Sequence, residues 1–410
     1  MAGPRVVMFV NEERGHLQRV LPLMTGLRRR GVRVDVLTHS CHRADLERTG
    51  ARFLDLFDGC PPEAADPASR PAACRAVAFA GRYAEAVAAR LERDPPALIV
   101  HDTFAVIGHV VGRLMGVPYV NVCAGHDVQP GPFVATLQTD PRVLVSPECH
   151  AMVARLRERH GIADASPFFY VAAFSPLLNL YCEPPEYLPD HSRRTFEPLA
   201  FFGSLCGTEV PVRRDPGTTS CFGAAKGERR VFVSFGTIVW RYYAAQALAA
   251  LQVIAEELSS RKDTRTIISL GGHSFSDATL AALRLPRVHV ASRVAQRDVL
   301  AEADVFITHN GLNSTHEAVY HRVPMISYPF FWDQPALARR CRTLGIAVPL
   351  VETPQAPLQR TDVARALHEV TARDFLQPAL REAREWELSV MAGRGRVTDR
   401  LLELAAGTPA

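Results

Sequence analysis

Ten consecutive residues, Thr308-His309-Asn310-Gly311-Leu312-Asn313-Ser314-Thr315-His316-Glu317, concentrate the side chains best suited to hold an anion. They follow an apolar strand, Asp304 to Thr308, and open a helical pattern, so first-turn N–H groups and the positive helix end would favour a phosphate. Gly311 would let backbone approach such a ligand, and Asn313 or Ser314 would cap the helix. N-x-[ST] reads equally as a plain helix cap, and Glu317 in the first turn as a complement to the helix dipole. His309 is harder to assign to packing, because it stands at a strand end. A second constellation pairs His16, behind Gly15 at the entry of the first helix, with Asp102 at the end of the fourth strand. A carboxylate that holds an imidazole fixes its tautomer and raises its basicity, which suits general-base catalysis near neutral pH. Taken singly, both residues also read as ordinary caps, and spacing alone does not bring them together.

Other chemistries find no support. No G-x-G-x-x-G follows a strand, and neither G-x-x-x-x-G-K-[ST] nor G-x-S-x-G occurs. His316, Glu317 and His321 superficially suggest a zinc helix, but five residues rotate the two histidines roughly 140° apart, so no metal site is expected. Nine cysteines, an odd number without a C-x-x-C pair, read as free thiols. The net charge of +4 comes from 47 basic and 43 acidic residues, and only Lys226 and Lys262 are lysines, which suggests a GC-rich genome. The arginines are scattered, and Arg28, Arg29 and Arg30 suit a helix end, so no nucleic-acid partner is expected. Every apolar stretch is broken before 18 residues, and only Val6 to Val10 precede Asn11, too short for a signal-peptide core. A cytosolic protein without a membrane span is expected.

These residues need elements to carry them. Val6 to Val10, a helix over Leu17 to Arg30 and Val32 to Leu37 form a βαβ beginning. Arg52 to Leu56, a helix through Ala76 to Arg93, Ala97 to His101, a helix near Val106 to Met115 and Tyr119 to Val122 continue it. Residues 124 to 195 read as proline-rich loops with one helix around Cys149 to His160, and Leu199 to Phe202 restores a strand. The Gly, Pro, Ser and Thr of 203–229 mark a linker. The alternation then restarts with Val231 to Phe235, a helix over Tyr242 to Leu258, Thr266 to Leu270, Val288 to Val290, Val305 to Thr308, Pro324 to Tyr328 and Ala347 to Val351. Helical periodicity covers Arg381 to Met391 and a further helix after it. The pattern is α/β, two Rossmann-like doubly wound domains, and ligands of such folds bind at the carboxyl ends of the strands. A site between the domains is expected. The boundaries are 1–205, a linker at 206–229, 230–380, and helices at 381–410.

In these motifs the chain resembles the GT-B glycosyltransferases of family 1, the UDP-glycosyltransferase and macrolide-glycosyltransferase group. The G-H-x-x-x-x-L-P-L of Gly15 to Leu23 is similar to the family's amino-terminal motif, and Val100-His101-Asp102 with Met115-Gly116-Val117-Pro118 to its aspartate strand. Val233-Ser234-Phe235-Gly236-Thr237 matches the start of the second domain. The block from Val294 to Leu350 is the most specific, with Ala295-Gln296, the HNGLNSTHE segment, Val323-Pro324 and Pro329 through Gln334. The resemblance implies two domains facing across a cleft, the first binding acceptor and the second donor, with the last helices crossing back to the first.

It further implies that His16 deprotonates the acceptor and Asp102 steadies the imidazolium. Gly236, Thr237, Arg293, Gln296, His309, Asn310, Gly311, Asn313 and Ser314 would surround the nucleotide and diphosphate. Glu317 would accept from the ribose hydroxyls, and Asp333 with Gln334 would bind the sugar. The chain departs from relatives at Asn310, which would tighten the loop or add a donor beside the phosphate, and at Arg293, where plant relatives stack a tryptophan on the base. Glu12 and Glu13 stand where relatives carry small residues; they would suit a polar or amine-bearing acceptor, or simply form a solvated turn. Phe168, with Phe169 and Tyr170, would line an acceptor pocket or pack the irregular segment. The implied activity is inverting, metal-independent transfer of a hexosyl group from a UDP-sugar, such as UDP-glucose or UDP-N-acetylglucosamine, to a small-molecule natural product in a bacterium. The UDP-sugar is a co-substrate, no cofactor is implied, and the protein would be a monomer or homodimer. A nucleotide-sugar epimerase and a noncatalytic partner of another glycosyltransferase are the rival readings.

Overall fold

The computed structural model describes residues 3–62, 69–123, 125–205, 221–223, 227–372 and 376–407. The contacts divide the chain into two compact units, residues 1–210 with 390–410, and residues 211–389. Most of the expected linker at 206–229 lies outside the described residues. Each unit is built on one parallel sheet covered by helices, the α/β architecture expected from the alternation.

The first unit contains β1 (Arg5–Phe9), α1 (Arg14–Arg29), β2 (Arg33–Thr38), α2 (Arg43–Glu47), β3 (Arg52–Asp55), α3 (Ala72–Glu92), β4 (Leu98–Asp102), α4 (Val106–Met115), β5 (Tyr119–Cys123), α5 (Pro130–Thr139), α6 (Pro147–Glu158), β6 (Asn179–Tyr181), α7 (Asp190–Arg193) and β7 (Leu199–Phe201). Its strands lie in the order β3-β2-β1-β4-β5-β6-β7. β1 and β4 are buried along their whole length, as strands covered on both faces must be, and their apolar stretches, 6–9 and 98–100, adjoin polar ends at Arg5, His101 and Asp102.

The second unit contains β8 (Arg229–Ser234), α8 (Val239–Tyr242), α9 (Ala244–Ser260), β9 (Thr264–Ser269), α10 (Asp277–Leu283), β10 (Val288–Ala291), α11 (Gln296–Glu302), β11 (Val305–Thr308), α12 (Leu312–His321), β12 (Met325–Ser327), α13 (Gln334–Thr343), β13 (Ala347–Pro349) and α14 (Arg360–Ala372). Its sheet runs β10-β9-β8-β11-β12-β13. Val231, Val233, Ile268, Ile307 and Ile326 from the strands pack with Leu251, Ile254 and Leu258 of α9 in one core. Among the described residues no helix is long and apolar enough to cross a membrane.

Three local expectations need correction. Residues 124 to 195 hold more than the one expected helix: besides α6 they supply α5, α7 and β6, and β6 lies inside the sheet between β5 and β7. The helix expected from Tyr242 divides into α8 and α9. The two helices expected after Arg381 are one, α15 (Leu376–Ala405), which runs through Gly393 and Gly395. Two interior glycines cost about 1 kcal/mol each relative to alanine, and tertiary contacts offset that cost. In the second unit, buried His316 Nδ1 meets buried Glu387 Oε1 of α15 at 2.5 Å. In the first unit, Arg394 donates to the carbonyls of Phe202, Gly203 and Leu205 at 2.8, 3.3 and 2.6 Å. The boundary expected at 380 therefore differs from the contact division, which keeps Arg381–Ser389 with the second unit.

His101 and His109 pack ring against ring at 5.6 Å under the first sheet, and His109 also meets Tyr119 and Phe169. Burial pushes His101 down to about 4 and His109 to about 3. Both are neutral when folded, whereas an unfolded chain takes up their protons near 6.5. Their contribution is therefore complete above pH 6.5 and is lost as pH falls from 6.5 towards 4 and then 3, up to about 3 kcal/mol for His101. The melting temperature should fall through that window. A His109→Leu protein should fall less steeply, and parallel curves for the two proteins would contradict this origin.

Candidate functional site

The first unit holds the His16 group. α1 begins at Arg14, behind Glu13, whose N–H donates to Asn11 Oδ1 at 2.9 Å, so His16 is the third residue of the helix. The parallel pairing of β1 with β4 brings the end of β4 beside the start of α1. There His16 Nδ1 lies 2.6 Å from Asp102 Oδ2, with side-chain exposures of 10% and 1%. Asp102 Oδ1 accepts the Phe104 N–H at 2.9 Å. Burial would raise the Asp102 carboxyl, but the charge and hydrogen bond of His16, the Phe104 amide and Arg19 outweigh it and hold the group below its usual range. An ionised Asp102 accepts from Nδ1–H, which leaves the lone pair of neutral His16 on Nε2. The Phe104 ring lies 4.9 Å from the imidazole and fixes its plane from the side.

Of the other first-unit candidates, Glu12 is exposed, Glu13 is half-buried as the residue before α1, and Phe168 is buried. The Glu13 backbone carbonyl accepts the His16 N–H at 2.9 Å in the first turn of α1. Phe168 lines a cavity of about 560 Å³ between α5 and α6.

The second unit gathers its candidates at the carboxyl ends of β8 and β11. His309 follows β11 and is 8% exposed, and its ring lies between two glycines. A Cβ on Gly236 would sit 2.6 Å from its Nε2, and one on Gly311 closer still. Gly236 also has φ +70°, in the left-handed region, so both sterics and conformation require glycine there. Gly311 thus makes room for an imidazole. Burial pushes His309 down to about 4 against a Ser234 backbone hydrogen bond, so the ring is neutral at pH 7 and offers one N–H donor.

The loop differs from expectation in its caps. Gly311, not Asn313 or Ser314, is the N-cap of α12, and no side chain caps the helix. Asn313 and Ser314 stand inside its first turn, and Glu317 falls in the second turn, too far along to complement the dipole. Gln296, the first residue of α11, donates to Ser314 Oγ at 3.1 Å and to Glu317 Oε2 at 2.7 Å. Burial raises the half-buried Glu317 carboxyl, opposed by Gln296 and Arg297. Asn310 is fully buried at φ +56°, and neither atom of its amide has a hydrogen-bond partner among the described residues.

Thr237 and Arg293 are exposed, and the Arg293 guanidinium lies over Gly272. Asp333 and Gln334 are buried at the start of α13, where Gln334 Oε1 accepts the N–H groups of Phe330 at 3.0 Å and Phe331 at 3.4 Å. That bond shapes the loop before α13. Among the described residues no three His, Cys, Asp or Glu side chains cluster with metal-ligand geometry.

The first unit holds a further His–carboxylate pair that is not legible in the sequence. His126 Nδ1 meets Glu183 Oε2 at 2.8 Å, with exposures of 3% and 0%, beyond the ends of β5 and β6. Along the edge of the sheet, His16 and Asp102 follow β1 and end β4, and His126 and Glu183 follow the next two strands. Glu183 has no visible place in the sequence until β6 is recognised.

Residues 193–379 match the family model described as UDP-glucoronosyl and UDP-glucosyl transferase. An uncharacterized UDP-glucosyltransferase, YdhE of Bacillus subtilis, is 26% identical over 200 residues, 48% of this chain and 46% of that protein. UDP-glucuronosyltransferase 3A2 of Mus musculus is 40% identical over 170 residues, 40% of this chain and 31% of that protein. The match thus spans less than half the length of either relative. The solved glycotransferase of kitacinnamycin superposes with a TM-score of 0.77 over 98% of this chain and 99% of that one, at 23% identity, which establishes a shared fold.

Proposed function

We propose that this chain, whose residues 193–379 carry the UDP-glucoronosyl and UDP-glucosyl transferase family and whose fold is GT-B, moves a hexosyl group from a UDP-sugar to a small-molecule acceptor in the bacterial cytoplasm. The observation that carries the reading is the buried 2.6 Å contact between His16 and Asp102, which leaves Nε2 of the imidazole to accept a proton. The donor half is supported by the first turn of α12 behind Gly311. Its first-turn backbone N–H groups, which have no partner within the helix, and its positive dipole end suit a diphosphate. Neutral His309 adds a donor beside it.

In this reading His16 Nε2 takes the acceptor's O–H proton while that oxygen attacks C1 of the sugar. The bond from C1 to the diphosphate breaks on the opposite face, and UDP leaves with the electron pair. An α-linked donor gives a β-linked product. Charge growing on the departing diphosphate is met by α12, so the reading calls for no metal and no cofactor. Glu317, oriented by Gln296, accepts from the ribose hydroxyls and favours UDP over dTDP.

A Glu317→Ala enzyme should show a donor KM raised about 10- to 100-fold, the worth of a hydrogen bond to a charged group. Its preference for UDP-glucose over dTDP-glucose should shrink as well. An unchanged KM for UDP-glucose would remove Glu317 from the site.

A further inference from the structure

Among the described residues of the first unit, the buried guanidinium and carboxylate side chains are those of Arg5, Arg19, Asp35, Asp102, Glu183 and Arg394. Arg5 and Asp35 neutralise each other at 2.8 Å, where β1 begins. Two carboxylates remain, Asp102 and Glu183, with two guanidiniums, Arg19 at 8% exposure and Arg394 at 7%. Charges removed from water in this way are held by charges of opposite sign. His16 and His126 each bond one of the carboxylates, but a neutral imidazole orients a carboxylate without cancelling its charge. The cancelling charge falls to the arginines.

The topology brings the four groups to one end of the sheet. Asp102 ends β4 and Glu183 lies two residues beyond β6, in the strand order β4-β5-β6-β7. Arg394 reaches that end from α15, holding the carbonyls of Phe202 and Gly203 just past β7, and the Phe202 N–H donates to the Tyr181 carbonyl of β6 at 2.8 Å. α1 lies alongside this part of α15: a Cβ on Gly26 would sit 3.0 Å from Thr398 Oγ1, one turn beyond Arg394. Arg19 stands on α1 three residues after His16 and is buried with it, so the two side chains leave the helix about 5–6 Å apart on one face. The charges of Asp102, Glu183, Arg19 and Arg394 all reach the buried Cys182 thiol, directly after β6.

We propose that Arg19 is a positioning residue of the proton-transfer pair: its buried guanidinium balances the Asp102 carboxylate, and through that carboxylate it fixes the His16 imidazole with Nδ1–H turned inward and Nε2 left to the acceptor. The use of His16 as a base rests on the transferase reading above.

Nuclear magnetic resonance of the full chain, labelled with ¹⁵N-histidine and free of substrate, reads the tautomer directly, and the His16 signals are those lost in His16→Ala. The wild type should show His16 as the Nδ1–H tautomer. Arg19→Met, uncharged and of similar length, should give mixed tautomers, and Arg19→Lys should restore the single one. With UDP-glucose as donor and 4-methylumbelliferone as a phenolic acceptor, Arg19→Met should lower kcat about tenfold at an unchanged UDP-glucose KM, and Arg19→Lys should recover much of the loss. In a His16→Ala background Arg19→Met should cost nothing further, whereas a merely structural arginine would cost the same factor in both backgrounds. If Arg19→Met does not fold, Arg19→Met with Glu183→Gln, in which the buried charges are again equal in number, should fold and show the mixed tautomers. Failure of that protein to fold overturns the charge balance. An unchanged His16 tautomer in a folded protein without the Arg19 charge, or a lysine variant as impaired as the methionine one, overturns the positioning role. A tautomer that responds to Arg19 in a protein that binds no nucleotide sugar overturns the transferase reading and leaves the positioning role standing.

Discussion

His16→Ala should lower kcat by about 10²- to 10⁴-fold, the usual worth of a positioned general base, with little change in donor KM. The expectation follows from the contact with Asp102. A carboxylate that is 1% exposed and bonded to both the Phe104 amide and His16 Nδ1 has no other task in that position as clear as holding the imidazole. Asp102→Asn should keep the packing yet also lose most activity, because an amide can donate to Nδ1 and so favour the wrong tautomer. A bulky alternative role for His16 in folding would show as a lowered melting temperature without this selective loss. Full activity in His16→Ala would remove the base from the mechanism.

The second large effect concerns a residue that touches no proposed ligand by its side chain. Gly311→Ala should weaken UDP-glucose binding tenfold or more, because the new methyl group would occupy the place of the His309 ring. Gly311 has φ −65° and ψ 142°, which any residue adopts, so backbone strain contributes nothing and the effect is steric. Gly236→Ala would combine the same collision with the cost of φ +70° and is the less clean test. The coupling is the decisive feature. In a His309→Ala background the obstruction is gone, and Gly311→Ala should then cost almost nothing further. Calorimetry on the two single variants and the double variant measures this directly. Additive losses would mean that the glycine and the histidine act independently.

Much of this was legible from the residues because parallel strands advertise themselves. Val305–Thr308 and Val106–Met115 have the predicted limits, each an apolar stretch between clear breakers. β6 was not legible: three residues between Pro176 and Pro184 carry no periodicity, and only the neighbouring strands β5 and β7 make them a strand. With β6 went Glu183 and hence the His126 pair. α15 misled in the opposite sense, since Gly393 and Gly395 argue locally for a break that the contacts of Glu387 and Arg394 override. His16 and Asp102 were visible as residue types, but their 2.6 Å contact depends on the register of β1 with β4, which spacing does not encode. The neighbour of Gly311 was hidden for a similar reason. A glycine beside a helix start suggests room for a ligand, whereas the space is taken by the ring two residues before it.

The most direct measurement is calorimetric titration of the purified protein with UDP-glucose, beside UDP, UDP-N-acetylglucosamine and dTDP-glucose, repeated with His309→Ala. Saturable binding of the uridine nucleotides, stronger than that of dTDP-glucose and weakened in the variant, is the predicted result. Absence of binding by every nucleotide would contradict a donor site at α12 and leave the noncatalytic partner as the better description.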